Sequence, residues 1–238
     1  MADVPGRDDL ERRLARLLSR FLSAYGGRLL EKLGDPPNLS NIPFDFWDNE
    51  GKELAKILGP FGQDIFLEMA QDLMASQPVG VEWALVNEAA ISWIKDYSFD
   101  MVGKINEHTR SALDRALTNY FEQGQTIGEL QQSVSPLFGP TRAEAISVTE
   151  ISRAANWGEF ATVGELRKEG INLVANWETS DDELVCPICR PLDGRKADSY
   201  DADGHPTWVH PNSGKEYGLD PAHPRCRCWR NWTIAGLS

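Results

Sequence analysis

The four cysteines of this 238-residue chain all lie in two short runs near its C-terminus. The first run is Cys186-Pro-Ile-Cys189, and the second is His223-Pro-Arg-Cys226-Arg-Cys228. A Cys-x-x-Cys turn lets two thiolates face one ion, and a second cluster of His and Cys can complete a tetrahedron around Zn²⁺. The spacing therefore predicts one metal site to which both runs contribute ligands.

Five candidate ligands compete for the four places of a tetrahedral site. The preferred set is Cys186, Cys189, His223 and Cys226. Cys228 is the chief substitute for His223, because Cys226 and Cys228 would share one face of an extended segment. A set made only of Cys and His is typical of a structural zinc site that folds the tail of the chain, whereas a catalytic site keeps one position open.

A pair of disulfides is the alternative use for these cysteines. The chain begins Met1-Ala2-Asp3-Val4, which lacks the basic and apolar regions of a secretory signal, so we expect it to be made in a cytoplasm. Intracellular thiols stay reduced, and this favours a metal over disulfides. No run of about 18 apolar residues is present, so neither a transmembrane helix nor a membrane partner is expected.

The composition is that of an acidic chain. Lys and Arg number 24 and Asp and Glu number 36, which gives a formal net charge of -12. This balance argues against a protein that coats nucleic acid by neutralising phosphates, although a local basic patch can still touch a phosphate backbone. A length of 238 residues suits one large domain or two small ones and is sufficient for a sizeable core.

The N-terminal segment is predicted to be an amphipathic helix. Apolar residues recur at helical spacing from Leu10 to Leu33, and Gly34 with the following prolines ends the helix. Gly26-Gly27 is a candidate interruption. Arginines and a lysine occupy the rest of its circumference, which indicates a solvated basic side or, as the alternative, a docking surface for an acidic partner or a membrane.

Glycine and proline divide the helical pattern that follows. Helices are expected over 47–58 and 61–76, because Gly59-Pro60 would separate them and Pro78-Val79-Gly80 would end the second. A long helical pattern then extends from Val81 to Gly124. The first part of the chain is therefore expected to be a helical body.

Two Thr-x-x-Glu sequences have the form of capping boxes. Thr126 with Glu129 would begin a short helix, and Thr141 with Glu144 would begin a long one that Gly170 ends. In a capping box the Thr and Glu side chains each accept a hydrogen bond from a free backbone N–H group at the start of the helix. These signals place a long helix just before the cysteine runs.

Toward the C-terminus the pattern changes from helical to extended. Residues 171–177 alternate and are rich in β-forming types, and the segment from Cys226 to Ile234 is expected to return beside them as a second strand. The long loop between them is uncommon unless it is functional or tied down, and a metal at its base would tie it down. Trp229 and Trp232 are expected to pack over the metal site, because small zinc modules have little other core.

Two blocks of this sequence resemble the phage Mu F-like minor head proteins, also called phage head morphogenesis proteins. The first block is the helix that carries Arg142-Ala143, Thr149-Glu150 and Ala154-x-Asn156. The second contains Trp177, the Cys186-x-x-Cys189 turn, the Asp193-Gly194 turn and His223-Pro-Arg-Cys226-Arg-Cys228. The order of these motifs is specific, and together they cover residues 140–232.

The resemblance implies a structural role. Proteins of this family are minor components of tailed-phage heads that associate with the portal at one capsid vertex, inside the shell, and support head assembly, DNA packaging or delivery. It implies the portal protein as partner, the major capsid or scaffolding protein and packaged DNA as further candidate contacts, and the virion as location. It gives no basis for catalysis, so we expect a protein that is not an enzyme.

Four residues of the first block are predicted interaction positions. They are Arg142, Thr149, Glu150 and Asn156. On a helix Glu150 can pair with Arg153 in the next turn, and this intramolecular role is favoured because helix-surface ion pairs are ordinary. The alternative is a polar contact that fixes the tail of the chain against the helix or against a partner.

Between Gly194 and His223 the chain departs from the family's pattern, because this stretch is long and adds His205 and His210. The departure leaves the four-ligand set open among the five candidates. It also underlies the strongest rival hypothesis, a zinc-braced endonuclease of the His-Asn-His type. In that enzyme His205, His210, Asn212 and His223 would supply a general base and metal ligands. Against it, no Asp-His pair precedes a β-hairpin in the order that such nucleases need.

A third hypothesis is a zinc-knuckle nucleic-acid-binding protein. Arg225, Arg227 and Arg230, together with the nearby tryptophans, could contact phosphates and stack on bases. The net charge of -12 weakens this hypothesis.

These observations predict an α+β protein. A mainly helical N-terminal body would be followed by a small β-containing C-terminal subdomain that a structural Zn²⁺ stabilises. The expected division is an amphipathic helix over 1–34, a helical body over 35–139 and a Mu F-like domain over 140–238, in which a long helix precedes a zinc-knuckle β tail.

Overall fold

The computed structural model describes residues 4–76, 83–180 and 185–235, and within residues 95–100 it describes only the backbone. Helices dominate the chain up to Lys168, and short strands follow, with the cysteines among them. This confirms the expected α+β fold, with a helical N-terminal body and a small strand-containing C-terminal region that carries the Cys and His clusters. No helix in the described ranges combines the length and the apolar character that crossing a membrane needs.

The α-helices of the described ranges are α1 (Arg7–Leu33), α2 (Phe46–Ala75), α3 (Trp83–Gln123), α4 (Ile127–Val134) and α5 (Pro140–Lys168). Short 3₁₀ turns cover Leu39–Asn41, Ser135–Phe138 and Arg190–Leu192.

Helix α1 ends, as expected, before Gly34, whose φ of 75° is left-handed. Gly26 does not interrupt α1 but lets the Phe138 ring approach, since an added Cβ would lie 2.6 Å from it. The expected helix stop at residues 78–80 lies outside the described residues.

Helix α2 corrects the expected break at Gly59-Pro60. The structure has one helix that continues through Pro60, where the sequence predicted two helices over 47–58 and 61–76. A proline inside a helix removes one backbone hydrogen bond and costs about 3 kcal/mol. Leu54 and Ile65, on either side of Pro60, are both buried, and burial of this kind can outweigh a local cost to the helix.

The two expected capping boxes have different outcomes. Thr126 and Glu129 form one: the Thr126 hydroxyl accepts the Glu129 N–H at 3.3 Å, and the Glu129 carboxylate accepts the Thr126 N–H at 2.6 Å. The second prediction is wrong, because α5 begins at Pro140 and Thr141 lies inside its first turn. Proline is favoured at the first helical position, since the N–H that it lacks would be unpaired there. Gly170 ends α5 with a φ of 85°, as expected.

Strands β1 (Leu173–Glu178) and β5 (Trp229–Ile234) form the expected antiparallel pair. The register aligns Leu173 with Ile234 and Glu178 with Trp229. The chain leaves β1 after Glu178 toward Cys186 and enters β5 directly after Cys228, so both Cys/His runs are attached to the same end of this ladder. The pairing of two strands thus brings together runs that are more than thirty positions apart in the sequence.

The long loop expected between the two runs contains three further strands. These are β2 (Ser199–Tyr200), β3 (Pro206–Val209) and β4 (Glu216–Tyr217), which form an antiparallel sheet in the order β2-β3-β4. Trp208 of β3 is fully buried and packs edge-on against Trp177 of β1, with ring centroids 5.4 Å apart. Strands this short are below the length at which an alternating pattern can be recognised, which is why the sequence predicted a loop.

The chain divides into two compact units. The first comprises the described parts of residues 1–10, 61–94 and 148–238, and its core contains Trp177, Trp208 and Trp232 together with Cys189, Cys226 and Cys228. The second comprises 11–60 and the described parts of 95–147, and in its core the Tyr25 ring contacts those of Phe46 and Phe138. The domain limits expected from the sequence, 1–34, 35–139 and 140–238, stay a prediction.

Candidate metal centre

The first Cys run is a tight turn held by its own backbone. The Cys189 N–H group lies 3.1 Å from the Cys186 carbonyl oxygen and 3.3 Å from the Cys186 sulfur, and Arg190 donates to the same carbonyl at 3.0 Å. A 3₁₀ turn, Arg190–Leu192, continues the curve and buries Leu192. This backbone geometry holds the two sulfurs on one side of the turn, as the Cys-x-x-Cys spacing predicts.

The second run is a turn with a strained residue at its centre. Arg225 has a φ of 65°, which makes it the one non-glycine residue of the described ranges with positive φ. A non-glycine residue in this region costs of the order of 1 kcal/mol or more and persists where its surroundings hold it. Two hydrogen bonds do so: Cys226 donates to the His223 carbonyl at 3.2 Å, and Arg225 donates its N–H to the Thr149 hydroxyl at 2.9 Å.

The side chains of the two runs converge. His223 Nε2 lies 2.9 Å from the Cys186 sulfur and 3.3 Å from the Cys189 sulfur, and the sulfurs of Cys189 and Cys226 are 3.7 Å apart. Two overlapping triads result, Cys186/Cys189/His223 and Cys189/Cys226/Cys228, and within each triad the donor atoms all lie within 4.8 Å of one another. All four cysteines are free, so the structure contains neither of the alternative disulfides.

This donor set fits a zinc ion. With Zn–S bonds of about 2.3 Å and Zn–N bonds of about 2.0 Å, neighbouring ligand atoms of a tetrahedral site are roughly 3.5–3.8 Å apart. The Cys189–Cys226 separation of 3.7 Å already equals such an edge. The distances from His223 are shorter than roughly 3.5 Å, by about 0.6 Å to Cys186 and by about 0.2 Å to Cys189. Soft thiolates with an imidazole are the ligands that zinc prefers over hard cations. The cluster can therefore hold a metal, and the preferred four ligands, which divide between the two triads, would have to draw together around the ion.

The other ring nitrogen of His223 is oriented by the backbone. Nδ1 lies 2.8 Å from the Pro224 carbonyl oxygen, which can only accept, so Nδ1 carries a proton and Nε2 faces the sulfurs. Such a hydrogen bond to the second nitrogen is the usual support of a metal-binding histidine. Hydrogen bonding with Cys226 raises the pKa of His223 to about 9. A metal that binds Nε2 must displace this proton at neutral pH, so metal binding releases protons.

The thiols share a buried site with one guanidinium group. The hydrogen bond between Cys189 and Cys226 lowers the pKa of Cys226 and raises the pKa of Cys189, so a thiolate and a thiol lie side by side. Arg230 is fully buried, and desolvation lowers its pKa to about 10 against the attraction of the nearby thiolates. Its guanidinium lies 3.4 Å over the Trp177 ring and donates to the Gly218 carbonyl at 2.7 Å. This buried cation offsets part of the negative charge that a thiolate cluster would hold.

One face of helix α5 carries the residues that support the second run. Thr149 accepts from Arg225, the Ser152 hydroxyl donates to the Cys226 carbonyl at 2.6 Å, and Asn156 donates to the Leu219 carbonyl at 2.9 Å. Ser152 and Asn156 are buried. The sequence predicted Thr149 and Asn156 as interaction positions but missed Ser152. The available signal was the helical spacing of three polar residues, 149, 152 and 156, which places them on one face.

The remaining predicted interaction residues also have their described contacts within the chain. Glu150 pairs with Arg153 at 3.4 Å, as expected, and Arg153 reaches the Asp220 carboxylate at 3.3 Å. Desolvation raises the pKa of Glu150 to about 7, although Arg153 opposes the shift. Arg142 donates to the Thr109 hydroxyl at 2.9 Å and to the carbonyls of Leu137 and Ile105. A role of these residues toward a partner stays a prediction.

The histidines of the nuclease hypothesis have separate surroundings. His205 Nδ1 lies 2.9 Å from the Asp201 carboxylate, and the His205 ring packs on Phe160 with centroids 4.7 Å apart. His210 is buried, and its Nδ1 accepts the backbone N–H groups of Asn212 and Ser213 at 3.2 Å. Among the described residues, neither histidine belongs to the Cys/His triads.

The nucleic-acid hypothesis needs a correction at Arg230. The sequence suggested that this side chain contacts phosphates, but it is fully buried under the strands. The reason is the ladder register, which places Arg230 opposite Trp177 and makes a stacked core contact available to the guanidinium. Arg227 is more accessible and forms an ion pair with Asp8 at 2.6 Å.

The comparisons with known proteins agree with the family resemblance that the sequence motifs indicated. The profile of a family described as phage Mu protein F like protein matches residues 111–230, just over half of the 238 residues. Among curated proteins, the "Uncharacterized protein YqbB" of Bacillus subtilis (strain 168) is 26% identical over 190 residues, which cover 70% of this chain and 61% of that protein. The chain thus spans less than two thirds of this relative's length. No solved structure matches the chain.

Proposed function

Because the chain belongs to the phage Mu protein F-like family, we propose that it is a minor head protein of a tailed phage that associates with the portal inside the capsid. The family indicates a head morphogenesis protein of the virion rather than an enzyme. The observation that most supports the proposal is that the matched residues contain both Cys/His runs and the face of α5 that holds the second run. The portal protein is the proposed partner, with the major capsid or scaffolding protein and packaged DNA as secondary contacts.

We also propose that the two runs hold one structural Zn²⁺. The proposed ligands are Cys186, Cys189, His223 and Cys226, with Cys228 as the substitute for His223. Support comes from the distances between the donor atoms and from the burial of Cys189, Cys226 and Cys228 within the core of the C-terminal strands. A fourth protein ligand leaves no open position, so the ion would fix the loop between the runs rather than activate a water molecule.

Elemental analysis of the purified, reduced protein tests the zinc proposal. About one zinc per chain is expected, together with thiols that stay unreactive until a chelator is added, since metal-bound thiolates are shielded. The Cys186→Ser variant should then melt at a lower temperature than the parent. A protein without stoichiometric metal, whose Cys186→Ser variant melts like the parent, would contradict the proposal.

Co-expression with the phage head proteins tests the portal proposal separately. The chain would be expressed with the portal protein, the major capsid protein or the scaffolding protein of the same phage, one at a time. A complex with the portal ring that survives gel filtration is expected. Assembly with the capsid or scaffolding protein and not with the portal would overturn this partner.

Cleavage of DNA that His210→Ala abolishes without unfolding would overturn the head-protein role in favour of the nuclease.

A further inference from the structure

The beginning of helix α1 is tied to the second Cys/His run by a buried chain of hydrogen bonds. Arg7 Nη1 donates to the Ser152 hydroxyl oxygen at 2.9 Å, and Ser152 in turn donates to the Cys226 carbonyl at 2.6 Å. Arg7 is 4% and Ser152 is 1% exposed. Because little water can replace a broken hydrogen bond at such a site, separating the three groups would leave a charged donor poorly satisfied.

Three consecutive residues of the run contact helix α5 or the first turn of α1, and of these contacts only that of Cys226 is buried. The Arg225 N–H group donates to Thr149, the Cys226 carbonyl accepts from Ser152, and the Arg227 side chain pairs with Asp8 in the first turn of α1. The Arg227–Asp8 pair is weaker support than the buried contacts, because the Asp8 side chain is 75% exposed. Helix α5 therefore contacts the backbone around the candidate ligand Cys226 directly. The start of α1 reaches this run through Ser152 and through the Arg227 side chain.

We propose that metal binding and the docking of the first turn of α1, residues 7–10, are thermodynamically coupled through Ser152. A metal bound to Cys226 fixes this turn in the conformation in which Arg225 is left-handed and the Cys226 carbonyl faces Ser152. Without the metal, hydrogen bonds such as those to His223 and Thr149 hold the strained Arg225 without the help of an ion, and when Arg225 relaxes the Cys226 carbonyl leaves Ser152, the residue to which Arg7 donates. The inference rests on the proposed zinc site, and it adds that loading this site controls whether the first turn of α1 stays docked.

Thermodynamic linkage gives the proposal a strict form. If metal favours the docked first turn by some factor, docking must strengthen metal affinity by the same factor, and breaking the link can weaken that affinity by up to this factor. Ser152 and Arg7 act here as positioning residues, since neither is a candidate ligand. We expect a factor of about ten, within the range typical of coupling between two sites.

Hydrogen exchange on the full-length protein measures the docking. The reporters are the Asp9 and Leu10 N–H groups, which donate to the Gly6 carbonyl at 2.9 and 3.1 Å. With Zn²⁺ bound, these amides should exchange about tenfold more slowly than after chelation. The Ser152→Ala variant, kept loaded with Zn²⁺, should exchange as fast at these amides as the chelated parent. Its affinity for Zn²⁺, measured against a competing chelator, should fall by up to the same factor.

Ser147→Ala is the matched control. Ser147 is buried on the same helix, but its hydroxyl donates at 2.8 Å to Ala143, one turn earlier in α5. This variant should lose a comparable side-chain hydrogen bond without changing either the reporter amides or the Zn²⁺ affinity. The comparison separates the proposed link from the general cost of removing a buried serine hydroxyl.

The outcomes distinguish this inference from the zinc proposal. A parent protein that binds no Zn²⁺ would overturn both. A parent that binds Zn²⁺ while Ser152→Ala leaves the reporter amides and the affinity unchanged would overturn the coupling alone. If chelation unfolds the whole chain, the Zn²⁺-loaded Ser152→Ala variant still decides the question, because its fold is held by the metal.

Discussion

Cys189 is the residue on which the candidate metal centre depends most. It belongs to both donor triads, it is 1% exposed, and its sulfur lies within 3.7 Å of donors from the second run. Each other candidate ligand belongs to only one triad. The proposed four-ligand set can therefore exchange Cys228 for His223, but it cannot be built without Cys189.

Substituting one candidate ligand at a time should show that Cys189 is needed for metal binding and that Cys228 is not. Cys189→Ser is expected to abolish stoichiometric zinc and to lower the free energy of unfolding by more than about 4 kcal/mol, as losses of structural metals do. Cys228→Ser should keep about one zinc per chain. Metal content and urea unfolding of both variants measure the difference. Loss of zinc in Cys228→Ser with its retention in His223→Ala would show that four cysteines are the ligands instead.

Glu150 should make stability depend on pH. Desolvation raises its pKa from 4.5 to about 7 in the folded protein, so the folded state holds a proton that the unfolded state releases. Below about pH 4.5 this carboxyl group is neutral in both the folded and the unfolded state, so it does not reduce the free energy of unfolding. As the pH rises toward 7 the group ionises first in the unfolded state, and the free energy of unfolding therefore falls. Glu150→Gln cannot ionise and should therefore gain up to about 3 kcal/mol relative to the parent between pH 5 and pH 8.

Urea unfolding of the parent and of Glu150→Gln at several pH values measures this gain. The difference between the two free energies of unfolding should grow with pH, whatever constant loss the missing ion pair with Arg153 causes. Glu53→Gln is a suitable control, because the Glu53–Lys56 pair is exposed and such pairs contribute little. A difference that does not vary with pH would show that Glu150 is not the group that titrates.

At the scale of elements, helix α5 supports the second Cys/His run and makes a close contact with helix α2. A Cβ at Gly158 would overlap the backbone carbonyl of Phe66, so only glycine fits at this crossing. One turn later the Thr162 hydroxyl lies 3.3 Å from the Ala70 carbonyl oxygen. The packing of α5 on α2 thus holds the helix whose face supports the second Cys/His run.

Replacing Gly158 tests this crossing. Gly158→Ala should lower the free energy of unfolding by about 1–3 kcal/mol, because the added methyl group forces two backbones apart. Gly164→Ala on the same helix is the matched control: its Cβ would have no atom within 4 Å, and alanine should gain up to about 1 kcal/mol of helix propensity. Thermal melts of the two variants should shift in opposite directions. Equal shifts would remove the argument for a close crossing.

The elements that could be predicted are those with a signal confined to a few neighbouring residues. The β1–β5 pairing followed from alternation, and the short helix α4 followed from the Thr126–Glu129 capping box, since both signals lie within a few residues. Pro60 misled the prediction because its cost is local, whereas the packing that outweighs it involves residues distant in the sequence. The strands β2, β3 and β4 were missed because each is too short to show a period.

The candidate site shows the same limit. Cysteine and histidine spacing indicated the five candidate ligands, and the resemblance to a family indicated Thr149 and Asn156 as interaction positions. Ser152 could have been inferred from its helical spacing to Thr149 and Asn156, whereas Arg230 could not be recognised, because an arginine inside a strand has no special pattern. Their roles come from contacts with Cys226 and Trp177, which only the folded chain brings close.

At the scale of the whole molecule, the net charge bears on whether the protein only lies near DNA or binds to it. The chain carries 36 acidic and 24 basic side chains, for a formal net charge of -12. Of the three arginines that the nucleic-acid hypothesis needs, Arg230 is fully buried and Arg227 is paired with Asp8. A protein with this balance can lie near packaged DNA without adhering to it, because long-range repulsion opposes approach to phosphates.

The purified, zinc-loaded protein should therefore bind duplex DNA more weakly than a Kd of about 10⁻⁴ M at physiological salt, the weak end of non-specific binding. Fluorescence anisotropy with labelled duplexes of different sequence measures this. Lowering the salt should not produce tight binding, since less screening strengthens the repulsion as well as any local attraction. Arg227→Ala should bind DNA no more weakly than the parent. Salt-sensitive binding that Arg227→Ala reduces would instead favour the nucleic-acid-binding hypothesis, because it would show that the second Cys/His run neutralises phosphates despite the charge of the rest of the chain.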